Sequence, residues 1–80
     1  MTLDEAIREI QEKITAVSPE AVIRVARISD EEARLSVYAP PEDIQAIKDA
    51  TFQPVLDLLN EHGLDVQVFP YDITTTPPPA

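Results

Sequence analysis

Residues 33–39 read ARLSVYA and form the most regular alternation in the chain. Small and branched apolar residues fall on one side of an extended chain, and larger or polar residues fall on the other. The two sets are Ala33, Leu35, Val37 and Ala39 against Arg34, Ser36 and Tyr38. A period of two residues is typical of a strand that buries one face and turns the other outward. The stretch therefore predicts a strand with two different faces.

A second predicted strand precedes it over 21–29, a stretch rich in branched residues. The polar residues 30–32 between the two strands are short enough for a hairpin turn. Arg27 disturbs the alternation of this strand, because it would share a face with Ile23 and Val25. A bulge near Ala26 would remove the conflict, and so would an early end of the strand.

The chain before the hairpin has the signals of an amphipathic helix. Thr2 and Glu5 have the spacing of a capping box, and Ser18-Pro19 ends the helical pattern. Apolar residues recur between these points at three- and four-residue spacing, namely Leu3, Ala6, Ile7, Ile10, Ile14 and Val17. A helix with one apolar face is predicted.

The chain after the hairpin predicts further helix over 41–62 and then a short strand. Pro54 interrupts the helical pattern, so this segment is either one kinked helix or two short ones. Gly63 is a suitable helix end. The last predicted strand, 64–69, is limited by Pro70 or placed by it at a sheet edge. It should run parallel to the strand of 33–39, and its neighbour in the sheet is left open.

These elements predict a single α+β domain over 1–72, with a three-stranded mixed sheet and the helices on one face. Residues 73–80, ITTTPPPA, predict a disordered tail that is a spacer and not a recognition motif. The order helix, strand, strand, helix, strand resembles the type II K-homology fold and the BolA-like domains. The glycine loop that the K-homology resemblance implies is missing, since Gly63 is the only glycine. The last strand, residues 65–69, has no histidine of the kind that BolA-like proteins carry near theirs. No functional residue is carried over.

Length and composition favour association. The chain has 80 residues, no cysteine and a net charge of -9. A core of about 70 residues rarely contributes more than ~3–5 kcal/mol of net stability, and no disulfide can add to it. We therefore expect a homo-oligomer or another protein partner. The negative charge disfavours nucleic acid and anionic membranes, and nothing in the sequence resembles a leader peptide, so a cytoplasmic location is expected.

Catalysis has little support in the sequence. A serine nucleophile needs a neighbouring base, and His62 is the only histidine. Its place at a predicted helix end is typical of a residue that interacts with the helix dipole. No acidic cluster has the spacing of a calcium loop. We expect a non-enzymatic protein without a catalytic site, metal or cofactor.

The second face of the predicted sheet is the most informative feature. It should carry arginine and aromatic residues, and the predicted interface is Arg24, Arg34, Tyr38, Phe69 and Tyr71. Such residues are enriched at protein interfaces. Two alternatives stay open: antiparallel sheets also show such faces to water, and single-stranded nucleic acid can stack on exposed aromatic rings.

Overall fold

The computed structural model describes residues 1–79 and has the predicted α+β order. Its elements are α1 (Leu3–Val17), β1 (Val22–Arg27), β2 (Glu32–Ala39), a single 3-10 turn (Pro41–Asp43), α2 (Ile44–His62) and β3 (Asp65–Asp72). The two helices lie on one face of a three-stranded mixed sheet, as the sequence predicts. No family resemblance beyond this topology follows from the fold itself.

Helix α1 begins at the predicted capping box. The backbone N–H of Thr2 donates to Oε1 of Glu5 over 3.0 Å, and the backbone N–H of Glu5 donates to Oγ1 of Thr2 over 3.2 Å. These bonds satisfy amides that the first helical turn leaves without partners. The apolar stripe is buried at Leu3, Ala6, Ile7, Ile10 and Ile14. Val17, the last member of the stripe, is exposed.

Helix α2 is continuous through Pro54, so the alternative of two short helices is wrong. The helix ends at Gly63, whose φ of 66° is the left-handed conformation that glycine adopts without strain. The Gly63 N–H donates to the carbonyl of Leu59 over 3.1 Å, which satisfies one of the last carbonyls of the helix.

The sheet order is β1-β2-β3, with β2 in the centre. β1 pairs with β2 as an antiparallel hairpin, and β3 pairs with β2 in parallel. The parallel direction of β3 confirms the prediction, and the structure answers the open question of its neighbour. Because α2 connects β2 to β3 on the side of the core, the return places β3 at the free edge of β2.

Strand β3 runs past Pro70 to Asp72, three residues beyond the predicted end at residue 69. Asp65 donates its N–H to Glu31 at 2.8 Å, and Ile73 donates its N–H to Ala39 at 2.9 Å. The backbone groups of every second residue between them therefore point toward β2. The nitrogen of Pro70 belongs to the other set and points to the open edge of the sheet. The missing N–H of proline costs nothing there, because no strand lies on that side.

Strand β1 has no bulge, since its register with β2 is continuous from Val22 to Arg27. The strand ends at Arg27, two residues before the predicted end at residue 29. Arg27 stays on the helix side, where its guanidinium pairs with the carboxylate of Asp4 in the first turn of α1. The early end of the strand and this ion pair explain an arginine on the same side as Ile23 and Val25.

The core lies between the helices and the inner side of the sheet. α2 packs on β3 and on α1. The largest side chains that are fully buried there include Ile10, Ile14, Leu35, Ile47, Val37 and Val66. The inner residues of β2, which are Ala33, Leu35, Val37 and Ala39, are all completely buried. β1 is covered less well, and its inner residue Val25 is exposed.

The chain turns after β3. Asp72 accepts hydrogen bonds from Thr74 through Oδ1, at 2.9 Å from the N–H and 2.6 Å from the hydroxyl. The carbonyl of Asp72 accepts the N–H of Thr76 at 2.7 Å. The disorder predicted for 73–80 stays a prediction, and Ala80 lies outside the described residues. Within residues 1–79, no helix is long and apolar enough to cross a membrane.

Candidate protein-interaction surface

The strand register defines the side of the sheet that faces away from the helices, called the outer face below. Its cross-strand rows are Ala26–Arg34–Gln67, Arg24–Ser36–Phe69 and Val22–Tyr38–Tyr71, with Glu32–Asp65 at one end. Paired residues in neighbouring strands share a face, so each row crosses the sheet. The residues between these rows lie on the inner side of the sheet, which the helices cover. All residues that β2 contributes to that side are buried.

All five residues of the predicted interface lie on the outer face. Arg24 and Phe69 share one row, Tyr38 and Tyr71 share the next, and Arg34 lies in the row on the other side. The alternation of residues 33–39 predicted this correctly for β2. Tyr71 reaches the face because β3 continues beyond Pro70. Their placement is shown, and their role in binding stays a prediction.

The aromatic side chains differ in exposure. Phe69 is 42% exposed and Tyr71 is 38% exposed, whereas Tyr38 in the central strand is only 8% exposed. The Tyr38 and Tyr71 rings stack, with centroids 5.3 Å apart and an interplanar angle of 22°. Stacking fixes the Tyr71 ring against a buried neighbour, which leaves Phe69 and the open side of Tyr71 available for contact.

The outer face carries both acidic and basic residues. β2 begins at Glu32, which lies on this face opposite Asp65. Gln67 donates from Nε2 to Glu32 at 2.8 Å and to Asp65 at 3.0 Å. Two carboxylates thus sit together at one end, and the exposed Arg24 and Arg34 lie nearer the middle of the sheet.

A second apolar area lies on the helix side. Phe52 of α2 is 67% exposed and lines a shallow groove of about 370 Å³ with Lys48, Thr51, Val55, Leu56 and Val68. Sequence reasoning missed it, because Phe52 falls beside the buried stripe of Ile47 and Thr51 and not on it. The signal was a phenylalanine next to the stripe of an amphipathic helix.

His62 lies in the last turn of α2, as predicted. It lines a groove of about 210 Å³ between the helices, together with Met1, Glu9, Lys13, Pro54, Asp57, Leu58 and Glu61. The groove brings carboxylates and an imidazole together, but no serine lines it. None of its lining residues carries a hydroxyl or a thiol that His62 could activate.

The three serines lie away from this groove. The buried hydroxyl of Ser18 donates to Oδ2 of Asp43 over 2.8 Å and ties the end of α1 to the turn before α2. Ser29 accepts the N–H of Glu31 at 3.2 Å within the hairpin turn. Ser36 lies on the outer face. In residues 1–79, no group of three or more His, Cys, Asp or Glu side chains is placed to hold a metal ion.

Comparison with protein-family models, with curated protein sequences and with solved structures gives no match. The resemblance to the type II K-homology and BolA-like folds therefore rests on topology alone. Function has to be argued from the outer face itself.

Proposed function

We propose that this chain is a non-enzymatic cytoplasmic protein-interaction module that associates through its outer face, with a second copy of the chain as partner. The observation that carries the proposal is the pair of exposed aromatic rings, Phe69 and Tyr71, on the same face of the sheet as Arg24. Aromatic and arginine residues dominate the binding energy of protein interfaces. A sheet also holds them in fixed positions, which lowers the entropy lost on binding.

Electrostatics supports the outer face over the helix side. Two copies with a net charge of -9 each repel one another. The outer face carries Arg24 and Arg34 against Glu32 and Asp65, so its formal charges cancel. Self-association through this face therefore brings together surfaces without net formal charge.

The sheet edges are weaker candidates than the face. In β3, the nitrogen of Pro70 points to the open edge of the sheet, and an aspartate lies at each end of the strand, Asp65 and Asp72. β1 is only six residues long and contains two arginines. Proline, charged residues and short strands are the means by which proteins prevent pairing at sheet edges. Contact through side chains of the outer face is therefore favoured over addition of a strand.

Single-stranded nucleic acid is supported less well. Stacking of bases needs open rings, and Tyr38 is buried against Tyr71. The net charge of -9 also repels a phosphate backbone. A labelled oligonucleotide at low salt is expected to show no binding. Affinity that falls steeply with added salt would favour this function instead.

The proposal is tested by solution mass from light scattering across a concentration series. We expect the wild-type mass to rise toward that of a dimer, and Phe69→Glu to stay monomeric. Burying the new charge against a second copy costs more than the contact provides. The matched control is Phe52→Glu, which places the same change on the helix side and should associate like wild type.

Two results would contradict the proposal. A wild-type monomer at every concentration would exclude self-association. A dimer that Phe52→Glu abolishes and Phe69→Glu preserves would move the interface to the α2 groove. Far-ultraviolet circular dichroism of both variants checks that each is folded, and both residues are exposed enough for folding to survive.

A further inference from the structure

The outer face already carries a segment of the chain's own C-terminus. Nη2 of Arg24 donates a hydrogen bond to the carbonyl oxygen of Pro79 over 3.1 Å. Arg24 belongs to β1, whereas the tail leaves the sheet from β3 at the opposite edge. The last residues therefore return across the sheet, and Pro78 is half-buried on the way.

The turn after β3 directs this return. Asp72 holds Thr74 and Thr76 through its carboxylate and its carbonyl. The hydroxyl and the N–H of Thr74 lower the pKa of the Asp72 carboxyl, which keeps it ionised as an acceptor. The chain is thus reversed within a few residues of the last strand and enters the stretch of prolines.

The length of the segment matches the width of the sheet. Each proline has φ fixed near −65°, and a residue before proline is held extended, so the sequence of residues 76–79 favours a polyproline II conformation. This conformation rises ~3.1 Å per residue, or ~9 Å over the three steps. Strands are ~4.8 Å apart, so β3 and β1 are separated by ~10 Å. The segment just spans the face.

The chemistry of the face suits a proline segment. Prolines offer carbonyl acceptors and no N–H donors, and Arg24 supplies a donor without an acceptor. Tyr71, stacked on Tyr38, and Phe69 supply exposed aromatic surface on β3, at the opposite edge of the outer face from Arg24 on β1. Aromatic-lined surfaces are a recurring way of binding polyproline II segments, whose low entropy makes binding less costly.

We infer that the outer face is a receptor for extended proline-rich segments, and that residues 77–79 occupy it in cis. The sequence alone indicated a spacer without recognition, and the contact between Arg24 and Pro79 changes that interpretation. The inference rests on the proposed function in one respect, that the outer face binds protein. It adds that the partner segment is proline-rich, and that residues 77–79 of the same chain compete with such a segment for the outer face.

The experiment titrates the free peptide Thr-Thr-Thr-Pro-Pro-Pro-Ala, the sequence of residues 74–80, into full-length ¹⁵N-labelled protein. Wild type is compared with a triple variant, Pro77→Ser, Pro78→Ser and Pro79→Ser, whose tail no longer competes. We expect saturable amide shifts at Arg24, Phe69 and Tyr71 in the variant. A tethered segment acts at a millimolar effective concentration, so wild type should bind the peptide at least about twofold more weakly.

Two controls make the result specific. The peptide Thr-Thr-Thr-Ser-Ser-Ser-Ala should give no saturable shifts. In the triple-variant background, Arg24→Gln should weaken binding by about two- to tenfold, the range expected for one hydrogen bond. Arg8→Gln, at an exposed position of α1 and away from the outer face, should leave the affinity unchanged.

The inference is overturned if the proline peptide causes no saturable shift in the triple variant, or if the serine peptide binds equally well. If wild type and the triple variant bind the proline peptide with equal affinity, residues 77–79 do not occupy the outer face of their own chain. These outcomes are separate from the light-scattering test. A monomeric wild type with saturable peptide shifts would exclude the second copy as partner and retain the receptor.

Discussion

Tyr38 of β2 stacks on its register partner Tyr71 of β3, with ring centroids 5.3 Å apart. The two rings join the central strand to the edge strand on the outer face, where no helix covers them. Tyr38 is buried by its surroundings and Tyr71 is not. The pair therefore has two roles, since it stabilises the parallel β2–β3 contact and presents one open aromatic ring.

Replacing Tyr71 by leucine removes the ring stacking but keeps an apolar side chain at this position. We expect Tyr71→Leu to lower the free energy of unfolding by ~0.5–1.5 kcal/mol, the contribution of an aromatic pair beyond its buried area. Urea denaturation measures the change. Tyr71→Phe keeps the ring and should be close to wild type. Equal stability of the leucine and phenylalanine variants would show that stacking contributes nothing.

The ion pair between Asp4 and Arg27 joins α1 to β1, and both side chains are largely exposed. Exposed pairs contribute little, so a double-mutant cycle with Asp4→Asn and Arg27→Gln should give a coupling of ~0.2–1 kcal/mol. The coupling should decrease at high salt, because exposed charges are screened. A coupling that is zero at low salt, or that salt does not change, would contradict this account.

The capping box makes stability depend on pH. The backbone N–H of Thr2, and then its hydroxyl, hold the pKa of Glu5 below its ordinary value of 4.5. A carboxyl whose pKa is lowered by folding adds stability above 4.5, and this stability is lost as the pH falls through the lowered pKa. Acid should therefore weaken the start of α1.

Glu5→Gln tests this dependence, because its amide oxygen can accept the same N–H but does not titrate. We expect the urea midpoint of Glu5→Gln to fall less than that of wild type between about pH 6 and about pH 2. Glu12→Gln, on the same helix but outside the capping box, serves as the control and should behave like wild type. An unchanged pH dependence in Glu5→Gln would contradict the assignment.

Local patterns predicted the elements well. The Thr2–Glu5 box, the apolar stripe of α1 and the alternation of residues 33–39 depend on neighbours a few residues apart, and each is found in the structure. Alternation also predicted the outward position of Arg34 and Tyr38 in β2, since a strand with one buried face turns the other residues outward.

Features set by distant residues were predicted less well. Pro70 stays within β3 because its nitrogen faces the open edge, which requires the strand order. Arg27 keeps its place because Asp4, in another element, pairs with it. The return of the tail to Arg24 depends on the width of the sheet and on the turn at Asp72. The sequence offered the edge placement at Pro70 and the early strand end at Arg27 only as alternatives, because the residues that decide between them lie in other elements.

We propose that two copies of the chain associate through the outer face. The most direct measurement is a dilution series of the ¹⁵N-labelled chain by two-dimensional NMR, in which amides at the contact shift with concentration. We predict that the shifting amides cluster around Arg24, Phe69 and Tyr71. Shifts confined to α2 around Phe52, or no shift at any concentration, would contradict self-association through the outer face.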